Sequence, residues 1–170
     1  MIVLAEGKRD QRFVWRYLRD SGFEPHEIRR EAIPDGIGGA GERWVIDRYA
    51  TAVKDFRKRA AKTALIVVLD ADKGEVNRRA GQLESALRQV GIAARASDEA
   101  IVHLIPRRHI ETWILHLTGK VVNEATDYHN EKVDDLIPEA AANFREWTAQ
   151  PPTHCLPSLS IGIEETKRLV

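Results

Sequence analysis

The chain holds a single cysteine, Cys155, in 170 residues, which excludes an internal disulfide and a zinc cluster built from thiolates. It also lacks a dominant sign of charge. Its 26 basic residues balance 26 acidic ones, so overall attraction neither indicates nor excludes a nucleic-acid partner, and only local clusters can decide. No apolar run approaches the ~20 residues of a membrane span. Only "MIVLA" precedes the first acid, too little for the apolar core of a secretory signal. A cytoplasmic protein with no membrane partner is therefore expected. Repeats and low-complexity segments are absent, and the length suits one domain with a sizeable core.

Against these absences stands the stretch "ALIVVLDADKG", residues 64–74, where an apolar run ends in Asp70 and Asp72. Five apolar residues without polar alternation read as a strand buried on both faces, in the middle of a parallel sheet covered by helices. The carboxyl ends of such strands form the crevice where ligands bind. A single aspartate there reads equally well as the cap of the next helix. Two so close repel each other, which raises the pKa of at least one unless a cation sits between them.

The same pattern recurs along the chain. "MIVLAE" is a strand, followed by a helix over 8–21 with Phe13, Val14, Tyr17 and Leu18 at helical spacing, stopped by Gly22. "EIRREAI" (27–33) reads as the second strand and leads into the glycine-rich "PDGIGGAG" (34–41). A long helix then shows Val45, Ile46, Tyr49, Val53 and Phe56, and another after Asp72 shows Val76, Ala80, Leu83, Leu87 and Val90. "AIVHLI" is the fourth strand, closed by Pro106. Strands alternating with helices predict an α/β fold, a doubly wound, mainly parallel four-stranded sheet with helices on both faces. Residues 1–118 form this unit, and 119–170 form a helical C-terminal extension packed on it. In the extension, "KVDDLIPEAAANFREW" reads as helix broken by Pro138, "PPTHCLP" as loop and "SLSIGIEETKRLV" as a short terminal helix.

Acids mark the same edge of the predicted sheet at each strand end. Glu6 ends the first strand and Asp10 lies about one turn into the next helix; Asp70 and Asp72 end the third; Glu111 falls in the first turn after the fourth. Five such acids would be strongly destabilising without cations, and hard oxygen donors suit Mg2+ or Mn2+. Two ions about 4 Å apart could clamp the attacking and leaving oxygens of a phosphodiester. Lys8, Lys73, Arg107 and Arg108 surround the acids, where cations are useful for binding phosphate, although lysines at helix starts are also ordinary solvated residues. The glycine loop lacks the Gly-Lys-Ser/Thr ending of a P-loop. His109 and His116, seven apart on one helix face, read more readily as packing residues than as metal ligands.

Taken together, "LAEGKRD", "GGAG", "LDADKG" and "IPRRHIETW" resemble the Toprim fold, nearest to the nuclease domain of the overcoming-lysogenization-defect (OLD) family, over residues 1–118. The resemblance implies a Mg2+- or Mn2+-dependent nuclease that cuts DNA. Its metal-binding and catalytic residues are Glu6, Asp10, Asp70, Asp72 and Glu111, and the family's small glycine turn falls on Gly38 and Gly39. It further implies Lys167 as a lysine near the site, a role in antiviral defence, and assembly as a homo-oligomer or with a separate ATPase subunit, since no ATPase region precedes the first strand here. Two rival readings remain: a ribonuclease of the same fold acting on structured RNA, and a non-catalytic subunit that binds a partner.

Overall fold

The computed structural model describes residues 1–36, 40–59, 63–72 and 74–169. Four strands, β1 (Ile2–Ala5), β2 (Arg29–Arg30), β3 (Leu65–Val68) and β4 (Ile101–Leu104), form one all-parallel sheet in the order β2-β1-β3-β4. Among the described residues six α-helices accompany it: α1 (Lys8–Asp20), α2 (Gly41–Arg57), α3 (Val76–Gln89), α4 (Ile110–Leu117), α5 (Ile137–Ala149) and α6 (Pro157–Thr166).

Successive side chains of a strand point to opposite faces, and both faces here are covered. Val3 and Ala5 of β1, Ile66 and Val68 of β3, and Val102 and Leu104 of β4 pack with α1, α4, α5 and α6. Ile2, Leu4, Leu65, Val67 and Ile101 pack with α2 and α3. The fold is therefore α/β and doubly wound, as the buried runs predict. From β1 the chain steps outward to β2, then α2 carries it back past β1 to β3. The direction of winding thus reverses between β1 and β3, and a crevice opens beyond the ends of those strands. The register sets Ile2 beside Leu65 and Leu65 beside Ile101, which brings the carboxyl ends of β1, β3 and β4 level.

Two expectations are corrected. The second strand is only Arg29–Arg30, both exposed: a one-turn helix at Pro25–Glu27 takes Glu27, and residues 31–33 are not strand; a short, charged edge strand offers little template for pairing with another chain. Pro138 begins a helix instead of breaking one. It sits in the first turn of α5, where a missing N–H costs nothing. From α5, Phe144 reaches Phe13, Tyr17 and Trp113 at ring-centroid distances of 5.5, 5.0 and 6.3 Å. Among the described residues, no helix is long and apolar enough to cross a membrane.

Two glycines test this packing with opposite signs. A Cβ on Gly162 of α6 would lie 2.5 Å from the Trp113 ring, whereas one on Gly81 of α3 meets nothing within 4 Å. Gly162→Ala is expected to cost about 1–3 kcal/mol through overpacking. Gly81→Ala is expected to gain about 0.5–1 kcal/mol through helix propensity. Chemical denaturation of the two variants checks both signs.

Candidate functional site

The sheet ends place the acids. Beyond β3 the ladder continues through hydrogen bonds from Leu69 N to Leu104 O (3.2 Å) and from Ala71 N to Pro106 O (2.8 Å), which fixes the backbone on either side of Asp70. Asp70 N itself donates to Glu6 Oε2 at 3.3 Å, joining the ends of β1 and β3 at the point where the winding reverses. Asp72 occupies the left-handed backbone region (φ 48°), which aspartate tolerates better than most residues. Glu6, Asp10, Asp70, Asp72 and Glu111 all line one cleft of about 410 Å3, together with Lys8. Gly41, which starts α2, makes that assembly fit: a Cβ there would meet the Glu6 carbonyl oxygen at 2.5 Å.

Burial dominates the electrostatics. Asp10 and Asp70 are buried, and each has one carboxylate oxygen, Oδ1, enclosed without a hydrogen-bond partner among the described residues. Loss of hydration, then the charges of Glu6 and Glu111, push the Asp10 carboxyl up to about 8. Loss of hydration, then Asp10 and Glu6, drive Asp70 well above the ordinary carboxylate range. Glu6 is raised by burial too, though its hydrogen bonds with Asp70 oppose the shift. Asp72 is raised, chiefly by burial, against the pull of Arg79. The N-termini of α1, α2 and α4 border the cleft without side-chain caps, and their dipoles both ease the crowding of acids and favour an incoming anion.

The groups that answer the acids differ from those the sequence pointed to. Arg9 pairs with Glu111 and, at 3.0 Å, with Asp134. Arg79, buried on α3, pairs with Glu42 and, at 3.0 Å, with Asp72. His109 lies outside the helix, at the N-cap of α4 with extended backbone, and its Nδ1 meets Asp70 Oδ2 at 3.1 Å while Nε2 lies 3.6 Å from Asp127. It therefore shares no face with His116, which packs edge-on against Trp147 at 5.6 Å. His129 stands 5.1 Å from the His109 ring and 3.9 Å from Glu111. Arg9 and Arg79 sit on the very helices whose apolar stripes are legible, but an arginine on a helix normally reads as solvated. His129, Asp127 and Asp134 come from the extension, where no periodic signal announces them.

Of the expected phosphate ligands, Lys8 lines the cleft. Arg107 and Arg108 do not: Arg107 lies 3.5 Å from Glu75, and Arg108 lies 3.2 Å from Asp127, close in distance but without hydrogen-bond geometry. Lys167 is paired with Glu164 at 2.5 Å, away from the acids. Gly38, Gly39 and Lys73 fall outside the described residues.

Among the described residues, no group of three or more His, Cys, Asp or Glu side chains is already arranged to hold a metal ion. The chemistry of the donors nonetheless fits a hard cation: all are carboxylate oxygens, and Oδ1 of Asp10 and of Asp70 has no hydrogen-bond partner among the described residues. Asp72 and Glu111 are already neutralised by arginine.

A pH dependence follows. Without a cation, Asp10 holds its proton in the fold up to about 8 but loses it near 3.8 when unfolded, so the folded state binds more protons between these values. Stability is then full below pH 4 on this account and falls as pH rises toward 8. In chelator, melting temperature should drop from pH 5 to pH 8, and Asp10→Asn should flatten the drop. A parent whose melting temperature is level across this range would contradict the assignment.

Comparison with known proteins leaves the family open. No family model matches the chain and no solved structure matches it. Among curated proteins it is 32% identical over 77 residues to the urease accessory protein UreD of Sorangium cellulosum (strain So ce56), a match spanning 45% of this chain and 25% of that protein. The chain thus spans about a quarter of the length of the curated relative it matches. This overturns the resemblance to Toprim and OLD nucleases: nothing found indicates a Toprim domain. The defence role and the ATPase partner rested on that resemblance alone.

Proposed function

We propose that the chain is a divalent-cation-dependent phosphodiesterase acting on nucleic acid, with DNA the first substrate to try. One observation carries the reading: Asp10 and Asp70 each hold an enclosed Oδ1 with no partner among the described residues, at the crevice where the sheet reverses its winding. Side chains so placed are costly to the fold unless they serve a ligand. A hard cation such as Mg2+ or Mn2+, when bound, supplies charge neutralisation for a phosphodiester and an acidified water.

The chain's own residues then have distinct parts. Glu6, Asp10 and Asp70 hold the ion. His109, whose Nδ1 lies 3.1 Å from Asp70 Oδ2, orients the Asp70 carboxylate. Lys8 and the uncapped start of α1 draw in a phosphate oxygen. With a net charge of zero, attraction for a polyanion has to come from local groups such as these and not from the whole surface.

Purified protein is expected to nick or cut DNA with Mg2+ or Mn2+ and to stop in chelator. Asp70→Asn should lower the rate at least about 100-fold, since small displacements in such sites cost that much. In chelator at pH 8 the same variant should melt at or above the parent's temperature, because a buried carboxyl that repels Asp10 and Glu6 when ionised has been replaced by a neutral group. Assays on plasmid, single-stranded DNA and structured RNA with matched controls decide the substrate. Cleavage that persists in chelator, or no cleavage of any of these polymers, would defeat the proposal. An Asp70→Asn variant with parental activity and stability would remove Asp70 from the ion site; it caps no helix, since Glu75 holds the N-cap of α3.

A further inference from the structure

We infer that Arg9 takes the place of a second cation, so that the cleft holds one divalent ion on Glu6, Asp10 and Asp70 while Arg9 neutralises Glu111. The inference rests on the preceding reading of these acids as holding a cation, and it fixes how many.

The acids divide sharply by what already answers them. Glu111 is 4% exposed, and its charge is met by the Arg9 guanidinium. Asp10 and Asp70, at 5% and 6%, face each other's charge and Glu6's, and each keeps an unpartnered oxygen. Neighbouring positions on α1 thus do opposite things: Asp10 joins the cluster as an acid, and Arg9 brings it a permanent positive charge. A guanidinium stays protonated at any pH the fold survives, so this counter-ion cannot be titrated away.

Arg9 is also held in place. Its second terminal nitrogen bonds Asp134 at 3.0 Å, and Arg12, one turn along on the exposed side of α1, bonds the other oxygen of Asp134 at 2.6 Å. Asp134 belongs to the one-turn helix leading into α5, so the C-terminal extension anchors the arginine. For Glu111 to bind an ion, Arg9 would have to leave a bond on each side, and the incoming ion would meet its positive charge. The same logic holds at the far wall, where Arg79 bonds Asp72, Glu42 and Gln82. One divalent ion and Arg9 together offset three of the four charges of Glu6, Asp10, Asp70 and Glu111. The remaining charge is of the size the bordering helix N-termini ease. Because Arg9 lines the cleft, it also offers a fixed cation to a substrate phosphate, as a second ion would.

Manganese binding, counted by electron paramagnetic resonance and calorimetry, tests this without reference to activity. The parent should bind one Mn2+ per chain. Arg9→Gln should expose Glu111 and add a second, weaker site, and Arg9→Lys should restore a count of one. If Arg9→Gln does not fold, the double variant Arg9→Gln, Glu111→Gln removes the pair as a neutral unit; it should bind one Mn2+ with affinity within about threefold of the parent. A tenfold or greater loss in the double variant would make Glu111 an ion ligand and overturn the inference. So would two sites in the parent, or a count that stays at one in folded Arg9→Gln, with the cation reading left standing. No Mn2+ bound by the parent would overturn both.

Discussion

Taking the carboxylates of Glu6, Asp10 and Asp70 out of water, side by side, is the constraint on which the rest of the site depends. A buried carboxylate costs several kcal/mol unless something replaces its lost hydration. Here the replacements are visible in part: backbone N–H of Asp70 for Glu6, an imidazole for Asp70, helix N-termini for the group as a whole. They are insufficient, since two buried oxygens remain unpartnered and the carboxyls of Asp10 and Asp70 retain protons far above their usual range. Protonation is one way to relieve the strain and a cation is the other. The proposed chemistry exploits the exchange between them.

The fold supplies the rigidity that holds this costly arrangement. The sheet is packed on both faces, and its ladder extends past the last strand residues to fix the backbone around Asp70. The C-terminal helices pack on the same face as α1 and α4, with Phe144 set among Phe13, Tyr17 and Trp113. That packing also positions the segment that brings Asp127, His129 and Asp134 to the cleft. Core and site are thus linked through α1, whose apolar face enters the core while Arg9 and Asp10 reach the acids.

Much of this was legible in the sequence, for identifiable reasons. Unbroken apolar runs such as Leu65–Leu69 gave strands buried on both faces, and helical spacing gave α1 to α3, because burial imposes those periods directly. Acids at the ends of such runs were found for the same reason: a strand end is a place the pattern itself marks. What escaped was everything set by tertiary contact. Arg9 and Arg79 resemble solvated helix residues until their partners are known, and His109 looks like a helix residue until the cap is seen. Pro138 looked like a breaker because its value depends on the position it takes in the helix. The family resemblance failed for a related reason: short acidic motifs at strand ends can arise wherever a parallel sheet presents carboxylates at its crevice, so they say little about ancestry.

The central claim is that a cation replaces protons on buried carboxylates, and proton counting during metal binding tests it most directly. Titrating Mn2+ into the protein at pH 7 in two buffers of different ionisation heat yields the number of protons expelled per ion. The account predicts binding accompanied by proton release, about one proton of it from Asp10, whose share shrinks toward pH 9 as that carboxyl ionises unaided. Binding with no proton release at pH 7, or no binding, would contradict it.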